Sequence, residues 1–160
     1  YAVFILDVYT RKIVGYQVSG HMRATANVAA LKMAFKDHNP PVIHHSDRGS
    51  QYVYDEYINL LISENCKISM GLIAQDNAYA ERINQTIKYE YLRYWMPSTL
   101  EELKVDVKRA VHHYNTKRIH KNLEKMTPAN FEEKWSTYST QGRPVLNIFN
   151  NEILLKTGQH

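Results

Sequence analysis

A chain of 160 residues, 44% of them apolar, is long enough for one domain with a real core, and it has no apolar run of membrane-spanning length. Twenty Lys and Arg against 16 Asp and Glu leave a formal charge of +4. That balance tilts the chain toward a polyanionic partner without requiring one. The 12 Tyr and two Trp could stack on exposed bases, although most are expected in the core. Cys66 is the only cysteine, which excludes a disulfide framework and a thiolate zinc cluster and makes an intracellular, cytoplasmic protein the expectation.

In chain order, Tyr1-Ala2-Val3-Phe4-Ile5-Leu6-Asp7-Val8 and Ile13-Val14-Gly15-Tyr16-Gln17-Val18 predict an antiparallel hairpin turning at Tyr9 to Lys12. The chain opens inside a strand-like run, as a fragment would. From Thr25, Val28, Leu31 and Phe35 give one apolar face to a helix ending near His38-Asn39, ahead of Pro40-Pro41. A short strand follows at Val42 to His45, then a loop, then a helix over Tyr54 to Ser63. Lys67 to Met70 reads as a strand and Gly71 to Gln75 as a loop.

Asp76 can cap a helix from Asn77 to about Tyr94, with Ala80, Ile83, Ile87 and Tyr91 as its apolar stripe. Asn77, Glu81, Asn84 and Lys88 are spaced by four, three and four, so they share the opposite, polar face. Such a row is ordinarily a solvated surface. Ser98-Thr99-Leu100-Glu101 predicts a capping box for a long amphipathic helix carrying Leu100, Leu103, Val107, Val111 and Tyr114. A basic segment, Lys117-Arg118-Ile119-His120-Lys121, comes next, then a short helix begun by Thr127-Pro128. Residues 1–135 read as a core and residues 136–160 as a tail, either a hairpin or a single added strand.

The stretch from His44 to Tyr52 is where chemistry concentrates. Asp47 stands at the carboxyl end of a strand, before a Gly-bearing loop and a helix, where open α/β sheets place their sites. A plain Asx turn is the alternative. Neighbouring side chains on a strand point to opposite faces, so His44 and His45 cannot easily serve one metal ion. His45 is expected near the site and His44 packed.

Several motifs then fall in a telling order: Asp7-Val8-Tyr9-Thr10-Arg11-Lys12-Ile13-Val14-Gly15, His44 through Tyr52, Asp76-Asn77-Ala78-Tyr79-Ala80-Glu81, Tyr114-Asn115, and Thr127-Pro128-Ala129-Asn130-Phe131. Together they resemble bacterial insertion-sequence transposases of the integrase-core family, from Tyr1 to about Trp135. The resemblance implies an α/β, ribonuclease H-like mixed sheet flanked by helices, and a DDE site in which three carboxylates hold two Mg²⁺ (or Mn²⁺) ions. It implies that Asp47 is the second acid and Glu81 the third, acting as catalytic and metal-binding residues. The family's first acid lies on an earlier strand that nothing here matches, so the sheet is expected to lack its first strand. Its place would be taken by the tail, by another copy or by an upstream segment. The 160 residues by themselves are expected to bind metal weakly and to be inactive in joining. Asp7 is expected to have a minor role at most, with structural capping near its turn as the alternative. The interval between Asp47 and Glu81 is slightly shorter than is common in the family, within the loop Gly71 to Gln75.

The partners implied are DNA, both transposon ends and target, and further copies of the chain, with no membrane. Arg48, Gln51 and Tyr52 beside Asp47, Asn77, Asn84 and Lys88 beside Glu81, and Lys117, Arg118 and Lys121 are the candidate DNA contacts. The function so implied is metal-dependent cleavage of transposon ends and strand transfer in the bacterial cytoplasm, at the nucleoid. The other reading is a non-catalytic DNA-binding or assembly module.

Overall fold

The computed structural model describes residues 1–71, 77–146 and 153–154. They fall in two compact units, Tyr1–Leu6 with Ile13–Ala110, and Asp7–Lys12 with Val111–His160.

The first unit opens on β1 (Ala2–Leu6) paired antiparallel with β2 (Ile13–Val18), with a register shift between Ile5 and Leu6. Helix α1 (Ala24–Asp37) packs across this hairpin. The contact is close enough to dictate a residue: a Cβ on Gly15 would lie 2.2 Å from the Ala30 carbonyl oxygen. Only glycine lets strand and helix backbones meet at that separation.

Strand β3 (Ile43–Ser46) runs parallel to β4 (Lys67–Met70), and α2 (Asp55–Ser63) forms the crossover that a parallel pair needs. Asn65, at φ 58°, turns the chain out of α2 in the left-handed region, and the Cys66 N–H closes on the Leu61 carbonyl. Val28 and Leu31 from α1, Tyr57 and Leu61 from α2, and Cys66 form the core, with Phe35, Tyr52, Leu60 and Ile68 packed against it. Among the described residues β1 pairs only with β2 and β3 only with β4. All five β1 residues are apolar and each is half-buried, although a strand with one neighbour and one solvated face would alternate.

A continuous run from Ala78 to Trp95 follows, but it is not the uniform α-helix that the periodicity predicts. It comprises α3 (Ala78–Thr86), a π-helical segment (Ile87–Leu92) and α4 (Arg93–Trp95). The apolar repeat supplies the reason. Ile83, Ile87, Tyr91 and Trp95 recur every fourth residue, and at 3.6 residues per turn that repeat drifts about 40° at each step. The wider π turn keeps Ile83, Ile87 and Tyr91 buried, and Trp95 edge-on to Tyr91 at 5.6 Å. Asp76 lies outside the described residues; the N-cap position is Asn77.

Helix α5 (Leu100–Thr116) runs from the first unit into the second. Its capping box sits one residue later than expected: Thr99 Oγ1 accepts the Glu102 N–H, and Glu102 Oε2 accepts the N–H groups of Ser98 and Thr99. The chain has acids at both 101 and 102, so the pattern fits two registers and the geometry selects Thr99. Glu101 instead pairs with Lys104.

In the second unit, Asp7 braces its turn by accepting from the Tyr9 and Thr10 N–H groups and the Thr10 hydroxyl. Helix α6 (Pro128–Ser136) is capped by Thr127 Oγ1, places Phe131 against Tyr9 at 5.6 Å, and pairs Glu132 with Lys12. The tail strands β5 (Val145–Leu146) and β6 (Ile153–Leu154) pair with each other, and neither joins β1 to β4 among the described residues.

Candidate active site at Asp47 and Glu81

Asp47 follows β3 directly, and its two carboxylate oxygens have separate partners. Oδ1 accepts the Gly49 N–H at 2.8 Å, which is the Asx turn, and Oδ2 accepts from Asn77 Nδ2 at 3.3 Å. The second bond joins two stretches distant in sequence. Asn77 occupies the cap position of α3 yet makes no cap bond with its side chain; the amide is turned to Asp47 instead. The start of α3, with Asn77, therefore stands beside the Asp47 carboxylate.

Glu81 lies in the first turn of α3, exposed, four residues after Asn77. Residues so spaced share a face about 6 Å apart along the helix. Glu81 thus stands one turn beyond the residue that touches Asp47. Asn84 and Lys88 continue the row and are exposed, Asn84 bonded back to the Ala80 carbonyl and Lys88 held 5.3 Å above the Tyr89 ring. Ile83, Ile87 and Tyr91 occupy the buried side.

Around Asp47, Arg48 is exposed while Gln51 and Tyr52 are half-buried in a 3-10 turn, Ser50–Tyr52. Burial pushes the Tyr52 phenol up, the negative charge of Asp47 adds to that, and side-chain hydrogen bonds with Asn27 and Gln51 oppose it. Strand β3 alternates as expected: His45 is exposed with Nδ1 3.0 Å from Ser69 Oγ, and His44 is buried with Nε2 2.8 Å from the Tyr57 hydroxyl. Burial drives the His44 imidazole down to about 4, with His45 as a smaller cause, so the ring is neutral near pH 7. Nothing in the spacing of the sequence pairs His44 with Tyr57; Tyr57 is legible only as one residue of an apolar helical stripe.

Among the described residues no group of three or more His, Cys, Asp and Glu side chains comes together as a metal-ligand set. Asp47 and Glu81 are hard oxygen donors, and Mg²⁺ takes one or two carboxylates with water and phosphate completing its shell. The donor chemistry suits that ion. In the second unit Lys117 and Lys121 are exposed, and the Arg118 guanidinium lies 5.7 Å over the Tyr114 ring and donates to His120 Nε2 at 3.4 Å.

Residues 1–74 and 64–128 each match a model described as the integrase core domain. The chain belongs to the integrase-core family. This integrase-core chain is 35% identical to the 31 kDa protein of insertion element IS600 from Shigella sonnei, over 84% of the chain and 52% of that protein. It is 33% identical to the transposase of insertion sequence IS629, also from Shigella sonnei, over 84% of the chain and 47% of the transposase. The chain spans about half the length of the curated relatives it matches. In fold it resembles retroviral integrase cores. The catalytic core of BIV integrase aligns with a TM-score of 0.65 at 17% identity, covering 86% of this chain and 90% of that one. The HTLV-2 integrase catalytic core, solved in complex with magnesium, aligns at 0.62 with 16% identity, over 79% of this chain and 80% of that one. The architecture is thus the ribonuclease H-like one, and among the described residues its sheet is present as two strand pairs.

Proposed function

We propose that this chain is the catalytic core of a transposase that cleaves the ends of an insertion sequence and joins them to target DNA. The observation that carries the reading is the Asn77 to Asp47 hydrogen bond, which brings the end of β3 to the start of the helix bearing Glu81. Relatives named as transposases of insertion sequences support it, as does the magnesium complex of the HTLV-2 core.

Asp47 and Glu81 would hold Mg²⁺ or Mn²⁺, with two ions and a further acid completing the site by family analogy. The chemistry those ions supply is activation of a water or 3′-hydroxyl and neutralisation of charge in an in-line displacement at phosphorus. The protein's own part is orientation. The Gly49 N–H and the Asn77 amide fix the Asp47 carboxylate from two sides, so it need not reorganise when substrate arrives. Arg48, Gln51 and Tyr52 beside it, and Asn84 and Lys88 beyond Glu81, are the side chains that would bind phosphates flanking the scissile bond. Lys117, Arg118 and Lys121 would hold DNA backbone elsewhere. Further copies of the chain are the other expected partners, and the bacterial cytoplasm is where the substrate DNA is found.

Strand transfer by the full-length protein tests the reading. Asp47→Asn and Glu81→Gln each remove a metal ligand worth several kcal/mol in the transition state, a loss of at least about a hundredfold in joining rate. DNA binding should persist in both. Full joining activity in both variants would leave the non-catalytic DNA-binding module as the better account.

A further inference from the structure

Both ends of the loop that carries Asp47 rest on one buried side chain. Three residues before Asp47, His44 Nε2 lies 2.8 Å from the Tyr57 hydroxyl, with the two rings edge-on at 5.7 Å. Five residues after Asp47, the Tyr52 ring stands edge-on to Tyr57 at 5.5 Å. Tyr57 itself is 1% exposed, in the first turns of α2 among Val28, Leu31 and Leu61.

The polar pair is not what the core needs for burial. Phenylalanine at 57 and leucine at 44 would bury comparable apolar area without a hydroxyl and a ring nitrogen to satisfy. What the pair adds is direction, because hydrogen-bond strength falls steeply with distance and angle whereas apolar contact does not. A neutral imidazole leaves one ring nitrogen free to accept, and the burial that keeps His44 neutral and the Tyr57 phenol protonated suits a phenol donating to that nitrogen. The strand end just before Asp47 is thereby held at a fixed distance from α2.

We propose that Tyr57 is a positioning residue for Asp47: its hydroxyl pins β3 through His44, its ring pins the turn through Tyr52, and the loop between is held so that the carboxylate meets Asn77. This deepens the metal-binding reading of Asp47 and rests on it for its functional meaning, but the loop geometry can be read without any metal.

The test uses the full-length protein, with Tyr57→Phe, which keeps the ring and deletes the hydroxyl, and two His44 variants. His44→Gln keeps an acceptor near the place of Nε2, and His44→Leu does not. Three quantities are read: hydrogen exchange of the Gly49 amide in metal-free protein, Mn²⁺ affinity by water-proton relaxation, and the melting temperature. Loss of the buried bond should speed exchange of the Gly49 amide about tenfold in Tyr57→Phe and His44→Leu. It should weaken Mn²⁺ binding about tenfold, as loss of a ligand's supporting partner does. His44→Gln should stay near the parent in both.

A lowered melting temperature with Gly49 exchange and Mn²⁺ affinity unchanged would overturn the proposal, since it would make Tyr57 a packing residue only. If Tyr57→Phe does not fold, equal exchange in His44→Gln and His44→Leu overturns it just as well. Asp47→Asn is measured alongside: unchanged Mn²⁺ affinity there defeats the metal reading, while the exchange arm still decides the role of Tyr57.

Discussion

Asp47 accepts one hydrogen bond from its own loop and one from the start of a distant helix, and the second is what distinguishes it from any other Asx turn. The Asx turn occupies one oxygen only, and the other reaches outside the loop to Asn77, so the turn by itself does not decide against a functional role for Asp47. His44 carries a consequence for stability. Its ordinary value of 6.5 falls to about 4 in the fold, so between those values the unfolded chain binds a proton that the folded chain refuses. Stability then rises with pH across that window and is lost as the solution is acidified from about 6.5 toward 4. Denaturant titrations at intervals of pH should show that slope, and His44→Gln should flatten it. An unchanged slope in the variant would assign the acid sensitivity to other groups.

At the scale of elements, most of the architecture could be read from the periodicity. Strand β4 falls on the residues expected, and the hairpin, α1, β3 and α2 fall within a residue or two of expectation, since turn residues and prolines mark their ends. The π segment was hidden because a four-residue repeat looks like a slightly imperfect α stripe until its drift is followed over several turns. The capping box slipped by one because neighbouring acids offer two partners and only backbone geometry chooses. The candidate site was legible as two acids, one at a strand end and one on a polar helix face. Its bracing by Tyr57 was not, because a buried hydrogen bond between a strand and a helix leaves no spacing in the sequence. Two substitutions test the element-level account. Gly15→Ala drives a methyl into the Ala30 carbonyl and should cost about 1–3 kcal/mol by thermal unfolding. Thr99→Ala removes the cap of α5 and should cost about 1 kcal/mol, with no effect on β3 or its loop.

For the whole molecule, the modest charge of +4 means that any grip on DNA must come from clustered rather than average charge. Lys117 and Lys121, both exposed, are the simplest pair to remove. If each meets a phosphate, Lys117→Gln with Lys121→Gln should lower the salt dependence of DNA binding by about two units in the slope of log K against log salt. An unchanged slope would take that segment off the DNA. Metal binding by the two acids is tested most directly by the crystal structure of the full-length protein soaked with Mn²⁺, read by anomalous scattering. Density is expected within coordination distance of the carboxylates of both Asp47 and Glu81. Metal bound at Asp47 with the Glu81 carboxylate pointing away, or metal bound only at other residues, would contradict it.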